Sequence, residues 1–331
     1  MAIFITLEYT TNILYFIKPM FSKDNKRWKI ISIAGPTCTG KSDLAVHLAQ
    51  TFGGEIINAD SMQVYRYFDI GTAKPDMTTR KKIPHYLIDI VEPSGHFNAA
   101  IFKTMADSAI KDIHSRGKIP IVVGGTGLYI RILLYGIFHA PQDPVLRESL
   151  QSQYQLDPLG MYEEVKKIDY SYAMKISHRD RIRVVRAMEV YRLTGVSMSE
   201  WEKRHGFRDS HYNMMKIGLT RDRTILYERI DKRVDHMLES GWVDEVRTIL
   251  SMGYSEKSKP FSGIGYKEIL SLLKGLINYG DMVKDIKKFT RHYAKRQFTW
   301  FLREKDMHWY QFPEDIEKIE KDVSNFLKYG T

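Results

Sequence analysis

One cysteine in 331 residues excludes an intramolecular disulfide and any multi-cysteine zinc site. That lone thiol, Cys38, suits a reducing compartment, and a cytoplasmic location is expected. An apolar run long enough to cross a bilayer is also missing. Residues 1–28 come nearest, but Glu8 and Lys18-Pro19 interrupt them before about 20 apolar residues accumulate. They lack a basic leading region and a small-residue cleavage site, so neither a signal peptide nor a membrane anchor is expected. They read as a disordered extension, or as sequence ahead of a true start at Met20. Acids are in short supply too: 40 Asp and Glu against 50 Lys and Arg leave a net charge of +10, which suits an anionic partner. No repeat or low-complexity tract appears, and the apolar content suffices for a large core with a second, smaller unit.

What is present begins with Gly35, Pro36, Thr37, Cys38, Thr39, Gly40, Lys41 and Ser42. This P-loop pattern follows the apolar run Ile30–Ala34 and precedes an amphipathic segment from Asp43 to Thr51, the strand–loop–helix setting in which it binds phosphate. Glycines let successive N–H groups converge on phosphate oxygens, above the positive end of the following helix. Lys41 adds a point charge, and the Ser42 hydroxyl is the one expected metal ligand, for Mg²⁺. A nucleotide-hydrolysing protein would carry a second metal carboxylate at the end of another apolar strand. The best such strand, Ile119–Val123, ends in Gly124-Gly125-Thr126 without an acid, whereas Glu55–Ala59 delivers Asp60. Asp60 is then either a metal carboxylate, as in a kinase, or a base that touches a second substrate. A vestigial P-loop in a non-catalytic RNA-binding protein stays open as well.

Strand candidates at Lys29–Ala34, Glu55–Ala59, Tyr86–Ile90 and Ile119–Val123, with a helix at Ala99–Ser115, predict an α/β fold: a P-loop NTPase-like parallel sheet flanked by helices. The catalytic core is expected over 29–140. Strand runs vanish over 141–210, where the segments Val145–Tyr154, Gly160–Lys167 and Arg179–Leu193 predict an inserted helical subdomain that binds tRNA in the reading below. Over 211–331 the chain returns to the sheet at Met214–Leu219, then forms one long helix from Arg223 to Met252 and a helical C-terminal part. Between Asp281 and Asp306 a helical wheel gathers Lys284, Lys287, Lys288, Arg291 and Lys295 on one face, opposite Ile286, Phe289, Tyr293 and Trp300. An outward basic stripe with only Asp285 interrupting it points to a nucleic-acid backbone. Arg179, Arg183 and Arg186 form a shorter basic face, with Asp180 and Glu189 near enough to pair with them.

These residues resemble the tRNA dimethylallyltransferase family, bacterial type. The P-loop is followed in order by Asp60-Ser-Met-Gln-Val-Tyr65, Asp69-Ile-Gly-Thr-Ala-Lys-Pro75, Pro84-His-Tyr-Leu-Ile-Asp89 and Gly124-Gly-Thr-Gly-Leu-Tyr129. Then come Arg186-Ala-Met-Glu-Val190, Asp222-Arg223, Gly263-Ile-Gly-Tyr-Lys-Glu268 and Thr290-Arg-His-Tyr-Ala-Lys-Arg-Gln-Phe-Thr-Trp300, so the likeness runs from about Lys29 to Trp309. Cys38-Thr39 and Met188 depart from the family pattern, and the zinc finger of eukaryotic members cannot form without cysteines. The resemblance implies transfer of a dimethylallyl group from dimethylallyl diphosphate to N6 of adenosine 37, in tRNAs that read codons starting with U. It makes Asp60, Thr126 and Arg223 catalytic and puts the diphosphate with Mg²⁺ in the P-loop. tRNA contacts are implied at Asp60, Ser61, Met62, Gln63 and Thr126, and at Ile182, Arg183, Val184, Val185 and Arg186. Two more groups complete the set: Ser262, Gly263, Ile264, Gly265, Tyr266 and Lys267; and Lys295, Arg296, Gln297, Phe298, Thr299, Trp300, Phe301 and Leu302. Tyr65, Phe97 and Tyr266 are the candidates for stacking on a base. The expected partners are the anticodon stem-loop and the allyl diphosphate, with no membrane, and the enzyme is expected to be a monomer.

Overall fold

A computed structural model describes residues 27–138, 140–206 and 212–330. The expected extension therefore lies, but for its last two residues, outside the described residues. Six parallel strands form one sheet: β1 (Lys29–Ala34), β2 (Gly54–Asn58), β3 (His85–Tyr86), β4 (Ile119–Gly124), β5 (Asn213–Leu219) and β6 (Met307–Tyr310). Their spatial order is β3-β2-β4-β1-β5-β6. The central strands are near-continuous apolar runs because helices cover both faces. One face is closed by α1 (Lys41–Phe52), whose Leu44 and Leu48 pack with Ile31, Ile56 and Ile217. The other holds α3 (Ala99–Ser115), which follows the short α2 (Met77–Lys82), and α4 (Gly127–Tyr135). Asn98 starts α3 by accepting the N–H groups of Ala100 and Ile101 at 2.9 and 3.0 Å.

Between β4 and β5 lie α5 (Pro144–Leu156), α6 (Pro158–Ile168), α7 (Tyr170–Ala173), α8 (Arg181–Thr194) and α9 (Met198–His205), gathered round their own apolar cluster. The helical character expected there from the loss of strand runs is what the chain forms. After β5 come α10 (Arg223–Glu239), α11 (Trp242–Ser251), α12 (Tyr266–Leu273), α13 (Tyr279–Phe301) and α14 (Ile316–Tyr329).

Three expectations need correction. The single helix from Arg223 to Met252 is two, because Gly241 takes φ 94 between α10 and α11, a left-handed conformation that helices cannot pass through. The strand expected at Tyr86–Ile90 stops at Tyr86, because Leu87 and Asp89 adopt φ 63 and 56. Asp89 is held there by Lys74 and Arg80 at 2.5 and 2.6 Å. β6 was not foreseen: Met-His-Trp-Tyr is a short edge strand with only Tyr310 buried, too brief to give a periodic signal.

Glu55 on β2 is 1 % exposed at its side chain and receives Arg116 at 2.5 and 2.6 Å, Lys118 at 2.8 Å and the Tyr86 hydroxyl at 2.9 Å. Hydrogen bonds from Arg116 outweigh burial and hold its carboxyl down at about 2. The depressed pKa makes Glu55 stabilising above its ordinary value, about 4.5, with the contribution lost as pH falls towards about 2. At most about 3 kcal/mol is at stake, less what solvent screening of the part-exposed Arg116 removes. Melting Glu55→Gln beside the parent should show a lower melting temperature at neutral pH, with the gap narrowing below about pH 4.5.

Candidate active site

A cavity of 620 Å³ opens at the C-terminal ends of β1, β2 and β4, the usual ligand crevice of a parallel sheet. The P-loop forms one end through Thr37, Cys38, Gly40, Lys41 and Ser42. Gly40 sits at φ 90, and a Cβ there would lie 2.8 Å from the Phe312 ring, so the loop needs glycine twice over. The Thr39 hydroxyl and the Lys41 ammonium both donate to the Pro36 carbonyl, at 2.9 and 2.6 Å, which folds the loop back on itself.

Arg229 and Arg233 reach the same end from α10, and Arg233 comes within 3.7 Å of the Cys38 sulfur. Arg223, the arginine expected at the leaving group, does not line the cavity. It is exposed at the start of α10 with its guanidinium 5.2 Å over the Tyr227 ring. Arg229 and Arg233, which do line the cavity, were not among the residues expected there. Their signal is the four-residue spacing, which puts both arginines on one face while Leu226, Ile230 and Val234 are buried on another.

Burial pushes the Lys41 ammonium down to about 8; Cys38 and Asp60 oppose the shift, and Arg233 adds to it. An anion in the cup favours the charged form, so binding inorganic diphosphate near pH 8 should take up a proton, and affinity should weaken as pH rises through that value. Calorimetry in buffers of different ionisation enthalpy checks this. The expected result is an uptake near pH 8 that exceeds that of Lys41→Met, with the excess vanishing at about pH 6.5.

Asp60 also lines the cavity, two residues past the end of β2 and near enough to Lys41 to influence it. Its Oδ1 accepts the N–H groups of Met62 and Gln63 at 2.8 and 3.4 Å, a turn role that fixes the side chain. Its own N–H donates to Asn58 Oδ1 at 3.2 Å. Oδ2 has no hydrogen-bond partner among the described residues and is the oxygen able to take a proton. Gln63 donates to the carbonyls of Thr72 and Ala73 at 2.9 and 3.2 Å, which ties the segment Asp69–Pro75 to the cavity wall. Thr126 accepts the Ser61 N–H at 3.1 Å, so it braces the turn after Asp60 and makes no bond to the carboxylate. Val46, Ile56, Ile88 and Val123 add apolar lining to the cavity.

No three His, Cys, Asp or Glu side chains gather as a metal cluster among the described residues. The Ser42 hydroxyl lines the cavity beside the cup and makes no hydrogen bond among the described residues, with the Asp43 carboxylate next to it on the wall. One hydroxyl at the foot of an anion cup fits Mg²⁺, which keeps several waters and takes phosphate oxygens.

The implied tRNA contacts divide by burial. Ile182, Arg183, Ser262, Lys267, Lys295, Arg296, Thr299 and Leu302 are exposed, with Ile182 at 78 %. Met62, Gly263, Ile264 and Phe298 are intermediate. Val184, Val185, Gly265, Tyr266, Gln297 and Phe301 are buried and offer no surface to an RNA. Arg186 is turned inward to the carbonyls of Ala140 and Pro141 and to Glu189. Trp300 packs over Gly127, where a Cβ would come within 2.2 Å of the indole. Tyr65, Phe97 and Tyr266 are all buried, so none presents a face for stacking, while Tyr293 lines the cavity. The basic stripe on α13 is also less free than expected. Lys287 and Arg291 pair with Asp235 and Asp231 of α10, each at 2.6 Å, and Lys284, Lys288 and Lys295 stay exposed.

Residues 63–305 match the family model described as IPP transferase. tRNA dimethylallyltransferase 2 of Geotalea daltonii is 46 % identical over 310 residues, covering 93 % of this chain and 95 % of the relative. The full-length tRNA isopentenylpyrophosphate transferase of Bacillus halodurans superposes with a TM-score of 0.69 at 35 % identity, over 91 % of this chain and 97 % of the other. A eukaryotic dimethylallyltransferase described as acting on tRNA gives a TM-score of 0.77 at 32 % identity, over 91 % and 79 %. With the P-loop, the Asp60 turn and the α10 arginines meeting in one cavity, and with this likeness across nine-tenths of its length, the chain belongs to the IPP transferase family of tRNA dimethylallyltransferases.

Proposed function

We propose that the chain transfers the dimethylallyl group of dimethylallyl diphosphate to N6 of adenosine 37, beside the anticodon of tRNAs reading codons that begin with U. A single observation carries this reading: one cavity is lined by an anion cup and by an aspartate with a spare oxygen. The C–O bond to diphosphate breaks as the N6–C bond forms, and diphosphate leaves whole. No water needs activating, so a second metal carboxylate beside the P-loop is not required. Lys41, Arg229 and Arg233 take up the charge that gathers on the leaving oxygens. Ser42 would hold Mg²⁺, which supplies further charge neutralisation there when bound. Asp60 accepts the N6 hydrogen through Oδ2, and an aromatic amine needs both that help and close positioning.

An adenine must leave its stack to reach a cavity at the strand ends. The exposed cations Arg183, Lys267, Lys295 and Arg296 form the surface we assign to the anticodon stem-loop, where loop RNA is held by charge as well as by base contacts. The test is to incubate the protein with dimethylallyl diphosphate, Mg²⁺ and a stem-loop with adenosines at positions 36 to 38. Mass spectrometry should find the five-carbon group on adenosine 37 and none on a guanosine-37 control. Phosphorylation of a nucleoside by MgATP, with no transfer of the five-carbon group, would overturn the reading.

A further inference from the structure

Gln297 lies on α13 among residues whose neighbours face solvent, yet it is 5 % exposed. Its Oε1 accepts the Thr37 N–H at 2.9 Å, inside the P-loop, and its Nε2 donates to the Gly125 carbonyl at 3.0 Å. Gly125 has no room for a side chain, since a Cβ there would sit 2.0 Å from Nε2. The Gly125-Thr126 segment is joined in turn to the aspartate side of the cavity. Thr126 N–H donates to the Ala59 carbonyl at 3.2 Å, and Ser61 N–H donates to Thr126 Oγ1 at 3.1 Å. One side-chain amide therefore spans the cup and the turn behind Asp60.

We propose that Gln297 is a positioning residue, a brace that fixes the diphosphate cup against the aspartate side of the cavity, and not a contact for the RNA. The inference rests on the transfer reading above. An amide carries an acceptor and a donor on one rigid plane at neutral pH, where a carboxyl group is ionised. Asparagine is a methylene too short to span the two partners, an ionised glutamate cannot donate, and a lysine cannot accept. A displacement of about 1 Å between reacting groups can cost on the order of 10²-fold in rate, so the brace should act on the transfer step itself.

Gln297→Met keeps the shape and removes both bonds. Single-turnover transfer at saturating substrates should fall about 10- to 100-fold, with stem-loop affinity unchanged within about threefold. Gln297→Glu supplies the second readout. As a neutral acid, its C=O accepts from Thr37 while its O–H donates to Gly125; ionised, it loses the donor and sets a charge beside the cup. Its rate relative to the parent should therefore rise about tenfold as pH falls from about 8 to about 5.5. This variant is isosteric and carries the test if the methionine variant does not fold. A flat ratio across pH, or full transfer by Gln297→Met, would overturn the brace. So would a loss of stem-loop affinity with the saturated rate intact. A parent protein that transfers nothing would overturn the functional reading instead, which keeps the two failures apart.

Discussion

Asp60→Asn is expected to lower the single-turnover rate of transfer by about 10²- to 10⁴-fold, the usual worth of a positioned general base. The asparagine can still accept from Met62 and Gln63 through its oxygen, so the turn that Asp60 Oδ1 now closes at 2.8 and 3.4 Å should survive. What is lost is the second oxygen, the one with no hydrogen-bond partner among the described residues. Stem-loop affinity, measured by filter binding without the allyl donor, should stay within about threefold of the parent. Asp60→Ala removes the turn bonds as well, and a further fall from asparagine to alanine would measure that structural share separately. If asparagine kept the full rate, the proton would have to leave by another route, and the role assigned to the aspartate would be wrong.

The parts of this molecule that were legible in the sequence are those written locally. The P-loop, β1, α3 and the carboxylate after β2 are each carried by contiguous residues, and each formed where its own pattern placed it. The helical stretch between β4 and β5 was legible for the same reason, since loss of alternation and gain of helical spacing are local signals. The missed features depend on residues far apart in the chain. Arg229 and Arg233 reach a P-loop almost two hundred residues earlier, and nothing in the spacing of α10 says which of its faces meets that loop. Two of the five cations of the basic stripe were misread in the same way, because the acids that claim Lys287 and Arg291 belong to α10. Gln297 did leave a trace. On α13 the buried positions include Met282, Ile286, Ala294 and Phe301, and Gln297 is the one polar residue on that stripe. A polar side chain at a core position has to find buried partners, and here they are a P-loop amide and a glycine carbonyl.

The arginines give the second large effect and separate sequence likeness from geometry. Arg223 was implied at the leaving group, yet it is exposed over Tyr227, while Arg233 lies beside Cys38 in the cup. Arg233 also lowers the pKa of Lys41, a like-charge effect that requires the two cations to be neighbours. Two adjacent cations are costly without an anion between them and favourable once diphosphate charge develops there, so removing one should hurt the transition state more than the ground state. Arg233→Ala should therefore lose about 10²- to 10³-fold in kcat, with Arg233→Lys recovering part of it, because a point charge replaces the planar fork imperfectly. Arg223→Ala should change kcat by less than about threefold. Steady-state kinetics on the three variants decide the matter. A large loss in Arg223→Ala beside a mild one in Arg233→Ala would mean that the start of α10 moves onto the leaving group during the reaction, and the cup described here would not be the one that works.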